Sequence, residues 1–317
     1  MSMTNQADFN TSLFAAPDTI VVATDLTDMA ELLPHAIAQA KTAHAVLKIV
    51  HAIAPEMTYD PESGMIPGPD PLKASRDARL RMLEISHQVE QQGVSCSTAV
   101  RHGFAADVIA EVVHETDAGR VLARTHGRRG IKRLALGSVT LQLLQHLDVP
   151  VCTIGPRCAG VSNAGLHRIL HPTGLGPDCD ATAHLALDLA QDSRAELTML
   201  YVLREETAVE PYLDPDYSFE RLESLLPAMR GDLWSPVRTR IAAGNLEEEI
   251  LRCAKDTSAD LIVMGVHPAQ SFWPGHSGGK TAYAIMAAAT CPVLSFRVPA
   301  GYSMMTSQPE QHACVLG

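Results

Sequence analysis

A repeat within the chain constrains its fold more than any other feature. His126 and His267 each follow an apolar segment and lie 141 residues apart, and Pro150 and Pro292, each beginning a Pro-Val segment, lie 142 residues apart. A repeat of this length corresponds to a whole domain of ordinary size. We therefore expect two similar domains within the 317 residues, joined by the stretch of small residues at 157–165.

Apolar and amphipathic segments alternate along each repeat. The β-branched run at 19–24 is typical of a strand buried on both faces of a parallel sheet, and residues 30–43 carry apolar side chains at helical spacing. Residues 54–71, rich in proline and glycine, predict a long loop, and residues 217–230 predict a helix. The alternation predicts two α/β domains, each with a five-stranded, mostly parallel sheet and flanking helices.

Charge, hydropathy and cysteine usage argue against several classes of function. The net charge of −11 provides no overall positive field for a nucleic-acid backbone. No apolar run approaches the roughly 20 residues that span a bilayer, and residues 1–17 lack the pattern of a signal peptide. The seven cysteines are scattered, with neither CxxC nor metal-ligand spacing. We expect a cytoplasmic protein that binds no nucleic acid, membrane or structural metal.

The candidate site combines an acidic residue with a loop rich in glycine and arginine. Asp25 follows the first predicted strand, and the loop at 124–138 follows a later strand and leads into a helix beginning near Gly137 and Ser138. In open α/β sheets, ligands bind beyond the carboxyl ends of the strands, and a helix N-terminus attracts anions. The sequence therefore predicts a phosphate site, with plain helix capping and a solvated basic loop as the alternatives.

These features together resemble the universal stress protein family in its tandem form. The marks are Asp25, Gly103, the loop ending in Gly137 and Ser138, and the run at 260–267. The resemblance implies Rossmann-like domains of the adenine nucleotide alpha hydrolase type, arranged as a pseudo-dimer through their last strands. A homodimer of the whole chain through the same edges is the alternative. The expected division is 1–16 flexible N-terminus, 17–156 first domain, 157–165 linker, 166–299 second domain with a degenerate site, and 300–317 tail.

The nucleotide motif of the family is incomplete in the first repeat. Nucleotide-binding members have Gly-x-x-Gly, nine residues, and then Gly-Ser or Gly-Thr. Arg124 replaces the first glycine, whereas Gly127, Gly137 and Ser138 match. Arg124 either occludes the pocket or contacts a phosphate. Asp25 matches the aspartate that contacts the adenosine in the family.

The second repeat departs further from that motif. Gly265 matches the first glycine, but Pro268 replaces the second and removes a backbone donor. Thr173 is expected to occupy the position of Asp25. The residues that the resemblance assigns to nucleotide contact are Ala23, Asp25, His126, Gly127, Arg128, Gly137, Ser138 and Val139 in the first repeat, and Gly265, Gly278, Gly279 and Lys280 in the second.

The resemblance implies a regulatory protein of the stress response that binds ATP or ADP, with Mg²⁺, in its first domain and contacts a protein partner yet to be identified. The alternative is a scaffold or sensor of another small anionic ligand, with both nucleotide motifs degenerate. An enzyme of phosphate hydrolysis, with His126 or His267 as general base, has less support. The sequence has no Walker A loop of the required length, no nucleophile elbow and no metal-ligand cluster, so we expect no catalytic residue.

Overall fold

The computed structural model of the chain describes residues 16–54, 57–60, 64–67, 70–125, 137–158, 160, 165–174, 179–203, 219–220, 222–223, 235–266 and 277–297. The strands of the first half are β1 Thr19–Ala23, β2 Val46–Ile53, β3 Met57–Asp60, β4 Gly64–Pro67, β5 Cys96–His102, β6 Arg120–Arg124 and β7 Val151–Ile154. Its helices are α1 Met29–Ala43, α2 Pro71–Gln91, α3 Ala105–Glu115 and α4 Ser138–His146.

The second half repeats this order. Its strands are β8 Arg168–Pro172, β9 Glu196–Leu203, β10 Val237–Ala243, β11 Leu261–Val266 and β12 Val293–Arg297. Its helices are α5 Asp180–Ser193, α6 Leu246–Asp256 and α7 Ser277–Ala288. The repeat extends to the backbone angles, because Gly103 and Gly244, 141 residues apart, have φ values of 144° and 139° in the turns that precede α3 and α6. Glycine has no Cβ and adopts such angles without strain.

Ten of the described strands form one sheet, in the order β10-β9-β8-β11-β12-β7-β6-β1-β2-β5. The pairs within each half are parallel, and the halves meet in the antiparallel pair of β7 with β12. In the first half the chain builds outward from β1 through β2 to β5 and then returns to the other side of β1. This reversal places a topological switch point between β1 and β6, and β8 and β11 flank the equivalent point in the second half. The predicted fold class is confirmed.

The core lies on both faces of the sheet and continues across both halves. Alternate residues of β1 face opposite sides, with Ile20 and Val22 on one side and Val21 and Ala23 on the other. Helices α1, α2 and α5 cover the first face, and α3, α4, α6 and α7 cover the second. Strands buried on both faces need apolar residues at every position, which explains the continuous β-branched run at 19–24.

The two halves are joined through their last strands. Thr153 in β7 donates its hydroxyl to the carbonyl of Val293 in β12 at 3.2 Å. Gly155 follows β7 where a Cβ would lie 2.4 Å from the carbonyl oxygen of Met286 in α7, so only glycine permits this approach of the two backbones. β7 lies between β6 and β12 and therefore has no open edge. The last strands therefore pair with each other within one chain, as the pseudo-dimer arrangement implies, and the outer strands of the described sheet are β5 and β10.

Some predicted elements differ from the structure. The predicted loop at 54–71 contains the antiparallel hairpin of β3 and β4, which the proline and glycine content concealed. Of the predicted helix at 217–230, only residues 219–220 and 222–223 are described, and these are helical. The N-terminal segment 1–15 and the tail 300–317 lie outside the described residues. None of the described helices combines the length and apolar character that crossing a bilayer requires.

Candidate functional site

A tight turn follows β1 and fixes the position of Asp25. The hydroxyl of Thr24 donates to Asp28 Oδ1 at 2.6 Å and accepts from the backbone N–H of Leu26 at 2.8 Å. Leu26 has a φ of 70°, an angle that a leucine adopts only when its surroundings impose it. Asp25 Oδ1 accepts from the backbone N–H and the hydroxyl of Thr27, at 2.8 and 2.7 Å. The exposed carboxylate of Asp25 is therefore held in one orientation at the carboxyl end of β1.

Arg124 ends β6, directly beside the turn that holds Asp25. Its Nη1 forms an ion pair with Glu31 Oε2 in the first turn of α1 at 3.2 Å. Its Nε is buried, with no acceptor among the described residues. The carbonyl of Arg124 accepts from the hydroxyl of Thr140 in α4 at 3.1 Å. The side chain thus spans from β6 to α1 across the switch point, and its carbonyl ties the start of α4 to the same strand.

Helix α4 begins at the same edge of the sheet. Gly137 is its N-cap, in an extended conformation, and Ser138 and Val139 form its first turn. The side chain of Ser138 is exposed, and Val139 is partly buried. The first backbone N–H groups of a helix lack partners within the helix and carry a partial positive charge, so this end can bind an anion. The structure therefore brings Ala23, Asp25, Gly137, Ser138 and Val139 to one edge, whereas His126, Gly127 and Arg128 lie outside the described residues.

The second half has no carboxylate at the position of Asp25. The backbone N–H of Thr24 donates to a carbonyl of β2 at 3.1 Å, and that of Thr173 donates to the equivalent carbonyl of β9 at 2.9 Å. Thr173 is therefore the counterpart of Thr24, and the expectation that it stands in the place of Asp25 is wrong by one residue. The counterpart of Asp25 is Gly174, which has no side chain to contact a ligand.

The glycines predicted for the second site have a different structural setting. A Cβ at Gly265 would lie 3.0 Å from Cγ2 of Thr182, so this glycine accommodates close packing of α5 against β11. Helix α7 begins at Ser277, so Gly278, Gly279 and Lys280 lie within its first turn rather than before it. In the first half, by contrast, the matching glycine precedes the helix. The two halves therefore present different chemistry at equivalent edges.

Sequence reasoning missed several residues that shape the first site. Thr27 orients Asp25, Glu31 pairs with Arg124, and His51 at the end of β2 donates from Nδ1 to the carbonyl of Thr24 at 3.0 Å. The mostly polar residues at 24–28, between β1 and the apolar face of α1, were the signal in the sequence for the turn that follows β1. Nothing in the sequence indicated the partner of Arg124, because that depends on how α1 packs.

Among the described residues, no group of three or more His, Cys, Asp or Glu side chains could hold a metal ion.

A buried histidine lies in the second half, near the carboxyl end of β8. His171 in β8 has no solvent exposure, and its Nδ1 donates to the carbonyl of Val263 at 2.8 Å. Its Nε2 is buried without a hydrogen-bond partner among the described residues. Burial lowers the pKa of His171 to about 4, against the opposing effect of the bond to Val263. The side chain is therefore a neutral core residue.

Comparison with known proteins agrees with this architecture. The sequence profile of the universal stress protein family matches the chain twice, at residues 17–154 and 165–297. The chain belongs to the universal stress protein family.

Individual relatives are similar to one half or to both halves of the chain. A universal stress protein of Methanocaldococcus jannaschii is 26% identical over 138 residues, which cover 43% of this chain and 80% of the relative. The crystal structure of a universal stress protein from Archaeoglobus fulgidus covers 91% of this chain and 99% of its own, with a TM-score of 0.69 and 17% identity. A structure of a universal stress protein from Pseudomonas aeruginosa covers 91% and 95%, with a TM-score of 0.59 and 16% identity. At these identities the solved structures establish the shared fold alone, and this universal stress protein shares it over both halves.

Proposed function

We propose that this universal stress protein is a regulatory protein that binds one adenine nucleotide, ATP or ADP with Mg²⁺, in its first half. The observation that carries the proposal is the carboxylate of Asp25, held by two hydrogen bonds from Thr27 at the switch point of the sheet. A pre-oriented carboxylate at this place can accept hydrogen bonds from ribose hydroxyls or an adenine amino group without reorganising. The family resemblance supports adenosine contact at this position.

The start of α4 supports the phosphate end of the same ligand. The backbone N–H groups after Gly137 and the exposed hydroxyl of Ser138 offer donors to an anion at a helix N-terminus. The hydrogen bond from Thr140 to the carbonyl of Arg124 fixes this helix start relative to β6. The carboxylate and the helix start therefore belong to one rigid edge, as binding of an extended nucleotide requires.

The second half supports a scaffold role instead. Gly174 cannot replace Asp25, and Gly278 and Gly279 are already part of a helix. Its last strand completes the sheet with the first half. We infer that the second half stabilises the first through this shared sheet.

One observation favours the second candidate, a scaffold or sensor of another small anionic ligand. The ion pair of Arg124 with Glu31 spans the switch point where the nucleotide would lie. If this pair is not displaced, ATP and ADP do not bind. Direct titration with nucleotide distinguishes the two candidates.

The test is calorimetric titration of the purified chain with ATP and with ADP in the presence of Mg²⁺. We expect Asp25→Ala to weaken nucleotide binding at least about tenfold, because hydrogen bonds to a charged group contribute about 1.5–3 kcal/mol. Asp70→Ala is the matched control. Asp70 Oδ1 also accepts from the N–H two residues later, at 2.9 Å, but it caps α2, which packs mainly against the outer strand β5 and not beside β1. Equal affinity of the wild type and Asp25→Ala would refute the assignment of the site.

A further inference from the structure

A cavity of about 460 Å³ lies at the edge of the sheet opposite to the edge that carries Asp25. It opens at the amino ends of the strands, between the two halves, because residues that precede β1, β6, β7, β11 and β12 line it together with α1 and α5. Its lining includes Ala38 and Gln39 from α1, Leu185 and Leu189 from α5, and the repeat-related Pro150 and Pro292. Neither half alone encloses it. Its volume lies in the range of about 300–1,000 Å³ that is typical of small-molecule sites.

A buried arginine forms one wall of this cavity. Arg120 begins β6 and is only 7% exposed. Its Nη1 donates to Gln39 Oε1 at 3.1 Å, and its Nε is buried with no acceptor among the described residues. The structure gives this guanidinium no ion pair within the part of the chain that it describes, so a neutral amide is the partner of a buried positive charge.

That arrangement is energetically unfavourable without a further partner. A charge removed from water is costly unless it is paired, and a guanidinium has five donors to satisfy. Burial lowers the pKa of Arg120, and the nearby Cys152 and Asp192 act in the opposite direction. Asp192 lines the cavity but is solvent-exposed, so water screens its attraction. An anion inside the cavity would compensate the charge of Arg120 directly.

Apolar residues of the second half also line the cavity. In the second half the strand position equivalent to that of Arg120, 141 residues later, is Leu261, which also lines the cavity and is buried. Leu185 and Leu189 extend this apolar lining along α5. The cavity therefore has a buried positive end at Arg120 and an apolar end at Leu185, Leu189 and Leu261. The charged residues of the second half that also line it are exposed or partly exposed: Arg168, Asp192, Lys255 and Asp260. This polarity matches a molecule with one anionic group and a hydrocarbon body.

We propose that this cavity binds a small amphipathic organic acid, whose carboxylate pairs with Arg120 and whose apolar body lies against α5. A carboxylate accepts two N–H groups of a guanidinium in a planar, charge-assisted pair. Because the lining comes from both halves, the bound acid contacts both and strengthens their association. The site is separate from the proposed nucleotide site, which lies beyond the other ends of the strands.

The test uses decanoate as the probe and decanamide, its neutral counterpart, as the matched ligand, each titrated calorimetrically into the full chain. We expect the wild type to bind decanoate at least about tenfold more tightly than decanamide. Arg120→Leu, which introduces the residue found at the repeat-related position, is expected to remove this preference while leaving decanamide affinity within about threefold. Arg120→Lys retains the charge and is expected to retain part of the preference.

Two further measurements separate this proposal from the nucleotide proposal and from misfolding. Asp25→Ala is expected to bind decanoate as the wild type does, and saturating ATP is expected not to displace decanoate. Leu189→Trp fills the apolar end and is expected to weaken both probes about tenfold or more. It supplies a second test if Arg120→Leu does not fold. Equal binding of decanoate and decanamide by the wild type, or no binding of decanoate, would overturn the proposal.

Discussion

The buried histidine of the second half predicts how stability depends on pH. Val22 in β1 is the repeat-related counterpart of His171 in β8, because the registers Ile20 with Leu47 and Ile169 with Leu197 are equivalent in the two halves. His171→Val therefore places the apolar residue of one half into the same setting in the other. The substitution removes the hydrogen bond to the carbonyl of Val263, a loss that does not depend on pH, whereas only histidine can take up a proton.

The magnitude follows from the two pKa values of His171. Unfolded histidine titrates at 6.5, whereas burial lowers the pKa in the folded protein to about 4. Above pH 6.5 the imidazole of His171 is neutral in both the folded and the unfolded protein, so its burial in neutral form causes no loss of stability. As the pH falls, the unfolded state gains a proton that the folded state does not accept, so the free energy of unfolding decreases. Between the two pKa values the free energy of unfolding falls by about 1.4 kcal/mol for each pH unit. The total decrease between pH 6.5 and pH 4 is about 3 kcal/mol, and the decrease levels off at lower pH.

The assay is urea unfolding of the wild type and His171→Val at half-unit steps from pH 7.5 to pH 4. The carboxylates of the chain titrate in both proteins, so the difference between the two curves isolates the histidine. We expect that difference to change by about 3 kcal/mol in favour of the variant as the pH falls from 6.5 to 4. Parallel curves across this range would refute the inference that His171 is buried in its neutral form.

Two further predictions concern the contact between the halves and the entrance to the nucleotide site. Gly155→Ala places a Cβ 2.4 Å from the carbonyl oxygen of Met286, so we expect it to lower the free energy of unfolding by about 1–3 kcal/mol in chemical denaturation. Gly160→Ala, where no atom lies within 4 Å, is expected to change it by less than about 0.5 kcal/mol. Arg124→Gly removes the ion pair with Glu31, worth at most about 1 kcal/mol at the surface, and is expected to tighten ATP binding up to about fivefold in calorimetry. Weaker binding would instead make Arg124 a contact of the ligand.

The sequence was sufficient for the architecture because the repeat and the apolar runs are physical requirements of the fold. Parallel strands buried on both faces must be continuously apolar, and equivalent turns must meet equivalent backbone angles, as Gly103 and Gly244 do. The apolar last strands indicated edges that need covering, and the family resemblance implied that these strands pair with each other. The hairpin at 57–67 did not follow, because its residues resemble those of an ordinary loop.

Site details were less predictable because they depend on register and on packing between elements. Matching the chain to the pattern of the family placed Thr173 at the position equivalent to Asp25, but the hydrogen bonds at the ends of β1 and β8 shift the match by one residue. The partner of Arg124 depends on where α1 begins relative to β6. Arg120 looks like an ordinary flanking charge in the sequence, and only the packing of α1 and α5 buries it.

The most direct test of the central claim is the stoichiometry of nucleotide binding at saturation. Equilibrium dialysis of the intact chain against saturating ATP with Mg²⁺ measures the moles bound per mole of chain. The account predicts about one nucleotide per chain, because Asp25 lies at the switch point of the first half and Gly174 occupies the equivalent place in the second. Two nucleotides per chain would contradict the asymmetry of the halves, and none would contradict nucleotide binding itself.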